Sequence, residues 1–417
     1  MRYTPTLLTL LSLTATLTLQ AMSPVDSLNT SSPLPPHRDS ITTLPAYESD
    51  IHHLKFSHVR TELDKLIAKA KRKKQSTKPY DTALSACSRG ESALRGVDRV
   101  LIVDTTVVAK DKFLSAYSLS PSSGTLTLSP ESDYTSYTTQ INHNVISPYR
   151  TDSLPDSRLS LARYYLANKK LVDQQPLLGL NLQGDLNYPY LMSDGQTLYL
   201  SARTEDNLGN YDIYVTRYDS DNRSFYKAES MGMPYNSFAN DYMMVIDDEY
   251  NLGWFASDRY QPSDSVCIYT FIPNESRHTL DYETTAPSVL QAFATLSSTA
   301  TLPYTKEEQQ LIAQARQRLL SSRQHVATSK RSDFRFVLND TRDIYSIDDF
   351  KTPEAKELFQ KYLTLTKRLA DLRLQLQQSR DTTPDAREHI LTLERRIIEL
   401  DQEVNTLSKD IRRAELQ

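Results

Sequence analysis

The chain has 417 residues, of which 39% are hydrophobic, so it is long enough for two or three domains and apolar enough for a buried core. It carries 48 Lys and Arg against 52 Asp and Glu, and this net charge of −4 argues against a nucleic-acid-binding protein. Its nine glycines form no G-x-G-x-x-G pattern, and neither G-x-S-x-G nor H-E-x-x-H occurs. The sequence therefore predicts no cofactor site, no metal site and no catalytic residues of these classes.

The first 21 residues have the features of a secretory signal peptide. One basic residue precedes an apolar stretch interrupted by threonines, and Ala21 stands at a plausible cleavage point. The stretch is too short and too polar to span a membrane stably, so we expect no membrane span after cleavage. An uncleaved anchor is the alternative.

Two further segments precede the main body of the chain. Residues 22–50 are rich in Ser, Thr and Pro and predict a disordered tether. Residues 51–94 predict a helical segment, because apolar residues recur there at near-helical spacing. The basic run KAKRKK within it is interpreted as a solvated helix end, with contact to anionic lipid as the alternative.

A tyrosine on a short alternating stretch recurs four times in the middle of the chain. Tyr117, Tyr165, Tyr214 and Tyr269 are separated by 48, 49 and 55 residues. A repeat of 40 to 50 residues matches the length of a four-stranded propeller blade. We therefore expect a propeller-like β-domain of about four to five blades over residues 95–285.

The last two units show the repeat most clearly. LMSDGQTLYLSAR (191–203) aligns with VIDDEYNLGWFASDR (245–259), which places Ser201 and Arg203 over Ser257 and Arg259. YDIYVTRYDSDNRSFYKAE alternates on either side of a DSDN turn, as a β-hairpin does. VLIVDTTVV (100–108) and the segment after it predict a first, divergent blade, and residues 140–186 predict the second.

These motifs resemble a known family. YPYLMSDGQTLYLSAR and GNYDIYVTRY are similar to the TolB-type, WD-repeat-like propeller repeats of bacterial cell-envelope proteins, including those of the Bacteroidetes group. The chain departs from the family's Ser-Pro-Asp-Gly turn, since it has Met192-Ser193-Asp194-Gly195 without the proline. The resemblance covers about residues 95–280 and implies a propeller fold and a periplasmic or outer-membrane-associated location.

Residues 286–350 predict a linker helix and a β-hairpin. Thr305 precedes KEEQQLIAQARQRLL, so it is expected to cap a helix of about 20 residues. FRFVLNDTRDIYS (334–346) alternates like a hairpin that completes the last blade or pairs at a sheet edge.

Residues 351–417 predict an antiparallel helical hairpin. Apolar residues step by four and three along both halves, as in coiled coils, and each half opens with Thr-Pro, at Thr352-Pro353 and Thr383-Pro384. The charge is +3 over 353–380 and −3 over 381–417, which favours pairing within the chain. A homo-oligomer through residues 353–417 is the alternative.

Charged residues in the blade loops are the candidate binding residues. They are Arg203, Asp206, Asp212, Arg217, Asp241, Asp258 and Arg259. Loops such as ARTEDNLGNYD (202–212) could hold calcium or a sugar, but turn chemistry explains their residues equally well. His52, His53 and His58 lack metal-ligand spacing and are interpreted as surface histidines.

The two cysteines, Cys87 and Cys267, leave a disulfide open. A bridge would tie the start of the repeats to their end. A small buried thiol explains Cys267 equally well, because it alternates with apolar neighbours.

Taken together, these features predict a non-enzymatic, exported envelope protein with a propeller scaffold that binds a protein or glycan. The helical hairpin would serve docking or assembly. The alternatives are a carbohydrate-active propeller enzyme with sialidase-like glycan hydrolysis, and a structural coiled-coil adaptor. An enzyme would need carboxylates that converge on a pocket.

Overall fold

Helices precede and follow a central series of β-strands in the computed structural model. The model describes residues 45–129, 134–139, 144–151, 158–167, 170–274, 276–328, 336–339, 342–344, 346–382 and 387–416. The α-helices in these ranges are α1 (Pro45–His52), α2 (Phe56–Arg72), α3 (Lys78–Leu94), α4 (Pro287–Thr295), α5 (Lys306–Thr328), α6 (Pro353–Thr382) and α7 (Arg387–Leu416). Short 3-10 helices cover Lys110–Ala116, Pro121–Ser123, Thr299–Thr301 and Ile347–Asp349.

The strands form three larger antiparallel sheets. The first contains β2 (Thr125–Leu128), β3 (Thr135–Thr138), β4 (Asn144–Arg150), β5 (Leu159–Ala167) and β6 (Lys170–Pro176), in chain order. The second contains β7 (Gly184–Leu191), β8 (Thr197–Thr204) and β9 (Asp212–Asp219), with β10 (Ser224–Phe225) and β11 (Glu229–Ser230) both paired to β9. The third contains β12 (Asp241–Asp247), β13 (Leu252–Ser257), β14 (Ser265–Ile272) and, outside β14, the early strand β1 (Leu101–Ala109).

The position of β1 corrects the expectation that VLIVDTTVV begins a first blade. This strand pairs antiparallel with β14, with Val107 opposite Cys267, about 160 residues later. Without β1, the backbone N–H and C=O groups along β14 would be unpaired at a sheet edge. The described residues therefore form three larger sheets instead of the four to five blades expected.

The tyrosine repeat is only partly a strand repeat. Tyr165, Tyr214 and Tyr269 lie on β5, β9 and β14, as predicted. Tyr117 does not lie on a strand but directly follows the 3-10 helix Lys110–Ala116. The Tyr117 hydroxyl donates to the carbonyl of Met243 on β12 at 2.9 Å, so this tyrosine contacts the third sheet without belonging to a strand.

Two buried apolar clusters hold the sheets and the flanking helices. In one cluster, the four helices α1, α2, α3 and α4 pack against the third sheet. This cluster includes Val59, Ala86, Phe255 and Phe293. The other lies between the sheets and extends to α5 through Ala315 and Leu319. Cys87 and Cys267 are both buried in the first cluster as free thiols, so no disulfide joins them.

In the segment between α4 and α6, the structure confirms the predicted helix cap at Thr305 and corrects the predicted role of the β-hairpin. Thr305 caps α5, because its hydroxyl accepts from the Glu308 N–H at 3.2 Å while the Glu308 carboxylate accepts from the Thr305 N–H at 2.7 Å. The alternating segment forms a hairpin of β15 (Phe336–Asn339) and β16 (Arg342–Ile344). In the described residues these strands pair with each other and pack on the C-terminal helices, so they complete no blade and cover no edge of the larger sheets.

The two C-terminal helices pair antiparallel through the predicted heptad positions. Thr352 at the start of α6 bonds to Glu415 near the end of α7, and Arg380 pairs with Glu394 at 2.8 Å. Their shared core includes Leu369, Leu400 and further heptad residues. The Thr352 hydroxyl accepts from the Ala355 N–H at 3.2 Å, as a helix cap does. The second predicted start, Thr383-Pro384, lies outside the described residues.

The structure describes only part of the N-terminal region for which predictions were made. The predicted signal peptide and residues 22–44 of the predicted tether lie outside the described residues. The tether prediction is wrong for residues 45–50, which belong to α1, because this helix packs on the core through Ile51. Among the described residues, no helix is both long and apolar enough to cross a bilayer.

Two leucines of α7 provide a matched test of the helical pairing. Leu400 is 2% exposed and Leu391 is 50% exposed. Leu400→Ala should lower the free energy of unfolding by about 2–5 kcal/mol, because it leaves a cavity in the core. Leu391→Ala should change it by less than about 0.5 kcal/mol. Urea unfolding followed by circular dichroism measures both, and equal losses would contradict the assigned core.

Candidate functional site

A buried arginine lies at the centre of the candidate residues. Arg259, two residues beyond β13, is 1% exposed, and its Nη2 donates to Asp241 Oδ1 at 2.6 Å and to the Tyr235 carbonyl at 3.2 Å. Its Nε donates to the Ser257 hydroxyl at 2.8 Å. Burial alone opposes the charge, but the Asp241 carboxylate holds the pKa of Arg259 above its usual value. This arginine therefore joins the two ends of the β12–β13 hairpin to the preceding loop.

The same ion pair recurs in the second sheet. Arg203 near the end of β8 pairs with Asp185 near the start of β7 at 3.3 Å, and its guanidinium lies 5.1 Å from the Tyr211 ring centre. In both sheets the aspartate precedes the arginine by 18 residues. The aligned Arg203 and Arg259 are thus equivalent structural positions. Asp185 was missed by sequence reasoning, although this constant spacing could have identified it.

Asp212 lies beside the Arg259–Asp241 pair. It begins β9, and its carboxylate accepts from the Leu208 N–H at 2.9 Å and the Gly209 N–H at 3.3 Å. The Asp241 N–H donates to the carbonyl of Tyr211, the residue before Asp212. This bond brings the two aspartates close. Burial first, and then the charge of Asp241, raise the pKa of Asp212 to about 7.

Asp241 and Asp258 both close turns. Asp241 accepts from the backbone N–H and the hydroxyl of Ser237 at 2.6 and 2.7 Å. Asp258 accepts from the Asn240 backbone at 2.8 Å and pairs with Lys110 at 2.8 Å, which ties the end of β1 to the third sheet. The turn chemistry expected for the loop at 202–212 is seen at Asp212, which accepts from the Leu208 and Gly209 N–H groups.

The remaining two candidates are exposed. Asp206 lies in the loop between β8 and β9, and Arg217 lies on β9. The structure therefore brings Asp212, Asp241, Asp258 and Arg259 into one buried or half-buried region, while Arg203 pairs within its own sheet.

A small cavity adjoins Arg259. Its volume of about 10 Å³ suits one water molecule and is too small for a sugar. Its lining includes His52, Tyr260 and Thr295. His52 is mostly enclosed, which corrects its interpretation as a surface histidine, whereas His58 is exposed. The cause is tertiary packing, since the His52 ring lies 6.1 Å from the Phe238 ring.

Metal binding finds no support in the parts of the chain that the structure describes. No group of three or more His, Cys, Asp or Glu side chains there is placed to hold an ion. The calcium alternative for the acidic loops therefore has no assembled ligand set among these residues.

Comparisons of this chain with protein-family models, with curated proteins and with solved structures found no match. The resemblance to TolB-type repeats stays a prediction.

Asp212 predicts a distinct pH dependence of stability. Its carboxyl titrates near pH 7 when folded and near pH 3.8 in an unperturbed chain, so the folded state holds a proton that the unfolded state has lost. The stabilising contribution is complete below about pH 4 and declines as the pH rises to about 7. Relative to Asp212→Asn, the wild-type free energy of unfolding should fall over this range by on the order of 3–4 kcal/mol.

The exposed Asp206→Asn is the matched control. Because this side chain is exposed, the substitution should change the free energy of unfolding by less than about 0.5 kcal/mol at each pH. Urea unfolding at several pH values measures all three proteins, and a pH-independent difference for Asp212→Asn would show that Asp212 titrates normally.

Proposed function

We propose that this chain is a non-enzymatic, exported cell-envelope protein whose sheets form a propeller-like scaffold for binding a protein or a glycan. In this proposal the C-terminal helical hairpin serves docking or assembly. The scaffold is located in the periplasm or at the outer membrane.

Contacts between successive sheets support the propeller-like arrangement. The first strand of the second sheet, β7, packs against β3, β4 and β5 of the first sheet. In the third sheet, the edge strand β12 packs against β7, β8 and β9 of the second sheet. Propeller blades follow one another in this way around a common axis.

The observation that carries the scaffold proposal is the use of the charged candidates inside the fold. Arg203 and Arg259 are paired with aspartates of their own sheets, and Asp212, Asp241 and Asp258 close turns. Catalytic groups have to reach a substrate, whereas the charges of these side chains are paired or hydrogen-bonded within the protein. Such residues support a rigid frame that presents its loops.

Direct contacts attach the helical hairpin to the first sheet. The Arg373 guanidinium lies 3.5 Å from the ring centre of Tyr165 on β5, and Arg380 pairs with Asp173 on β6 at 3.2 Å. The Asp173 N–H also donates to Gln377 Oε1 at 3.3 Å. These contacts cover the edge strand β6, and they favour a hairpin that keeps a fixed position on the scaffold.

Exposed residues of the second sheet supply the proposed contact surface. Asp206 and Arg217 are exposed, and Tyr226 is 58% exposed beside β9, where its N–H donates to the Arg217 carbonyl. Tyrosine and arginine are enriched where proteins bind partners, because they combine apolar area with polar groups.

Two variants separate recognition by the loops from recognition by the hairpin. Asp206→Lys with Arg217→Glu reverses two exposed charges of the second sheet, one in the β8–β9 loop and one on β9. Leu369→Asp with Leu400→Asp places unpaired charges in the helical core. Cross-linked partners would be recovered from envelope fractions of cells producing each variant. The proposal expects the loop variant to lose most partner recovery while its unfolding midpoint stays unchanged.

The matched control reverses two exposed charges of α7, Glu388→Lys with Lys409→Glu, and should retain the partner. Retention by the loop variant together with loss in the helical-core variant would instead support the adaptor. Glycan hydrolysis by the purified chain would overturn the non-enzymatic proposal.

A further inference from the structure

Two buried nitrogens without a hydrogen-bond partner belong to residues that line the same cavity. They are Nη1 of Arg259 and Nε2 of His52. The other guanidinium nitrogens of Arg259 are engaged by Ser257, Asp241 and Tyr235. A buried polar atom left unpaired costs about 1–3 kcal/mol, so both nitrogens call for a partner inside the cavity.

The other polar groups of the lining are already used. The Ser237 hydroxyl donates to Asp241, and the Thr295 hydroxyl donates to the Gln291 carbonyl. The Tyr260 hydroxyl lies 3.4 Å from the His52 carbonyl. The cavity volume of about 10 Å³ suits a single particle of about the size of water. Among the polar side chains of this lining, Arg259 and His52 therefore have an unpaired buried nitrogen left to bind an occupant.

The charges around the cavity change sign with pH. Arg259 with Asp241, and Lys110 with Asp258, are compensated pairs. The other titratable side chains here are Asp212, His52, its neighbour His53 and Tyr260, and burial raises the pKa of the Tyr260 hydroxyl.

In acid, Asp212 is neutral, since its pKa is about 7. Burial, and then His53, lower the pKa of His52, so this ring gains its proton only in acid. The region then carries net positive charge, and Arg259 and His52 both present N–H donors. Near pH 8, His52 is neutral and Asp212 is ionised, so the region no longer favours an anion.

We propose that this cavity binds one small monovalent anion, such as chloride, between Arg259 and His52 in acidic solution. At higher pH a water molecule takes its place, accepting from Arg259 and donating to the neutral imidazole. Because His52 is the last residue of α1, the anion fastens this helix to the third sheet. This site is independent of the proposed partner surface.

Thermal unfolding in sodium chloride and in sodium gluconate of equal ionic strength tests the proposal. Gluconate is too large for the cavity. At pH 5 the unfolding midpoint should rise with chloride concentration and stay flat in gluconate, because the anion binds only the folded state. At pH 8 the two salts should give the same midpoint.

Two variants and bromide test whether the chloride-dependent rise of the unfolding midpoint comes from this cavity. His52→Gln should abolish the chloride response at pH 5, whereas His389→Gln, at an exposed position of α7, should retain it. Crystals grown at pH 5 with bromide should show anomalous scattering between Arg259 and His52. A response retained by His52→Gln, a response equal at both pH values, or no bromide at this position would overturn the proposal.

Discussion

The third sheet depends on compensation of the buried charge of Arg259. Removing a guanidinium from water costs several kcal/mol, and this cost is offset only by an opposite charge and well-formed hydrogen bonds. Asp241, Tyr235 and Ser257 supply these partners from the start of β12, the preceding loop and the end of β13. Losing any one of these segments would leave a charge or a donor unpaired, so they are constrained to fold together.

The second sheet contains a corresponding Arg–Asp ion pair that is longer and more exposed to solvent. Arg203 and Asp185 are each 15% exposed and 3.3 Å apart, whereas Arg259 and Asp241 are almost fully enclosed and 2.6 Å apart. Partial solvent access reduces both the cost of burial and the strength of the pair. The repeated Ser-x-Arg of the sequence therefore marks two arginines that pair with an aspartate of their own sheet and support it.

Features set by local spacing could be predicted from the sequence. The paired heptads around Leu369 and Leu400 and the cap at Thr305 depend on residues within a few positions of each other. The pairing of β1 with β14 could not, because Val107 and Cys267 are about 160 residues apart and no local pattern encodes their partnership. The enclosure of His52 could not be predicted either, because it depends on tertiary packing against Phe238. Asp185 differs, since its 18-residue spacing from Arg203 repeats that of Asp241 from Arg259 and is readable in the sequence.

A double-mutant cycle on Arg259 and Asp241 tests the structural role of the buried pair most directly. Arg259→Met and Asp241→Asn, alone and together, would be compared by urea unfolding at pH 7. Each single change should cost about 3–5 kcal/mol, because it leaves a buried charge uncompensated. The double change should cost less than the sum by about 2 kcal/mol or more. Costs that add to within about 0.5 kcal/mol would show that the two residues act independently and would contradict this account.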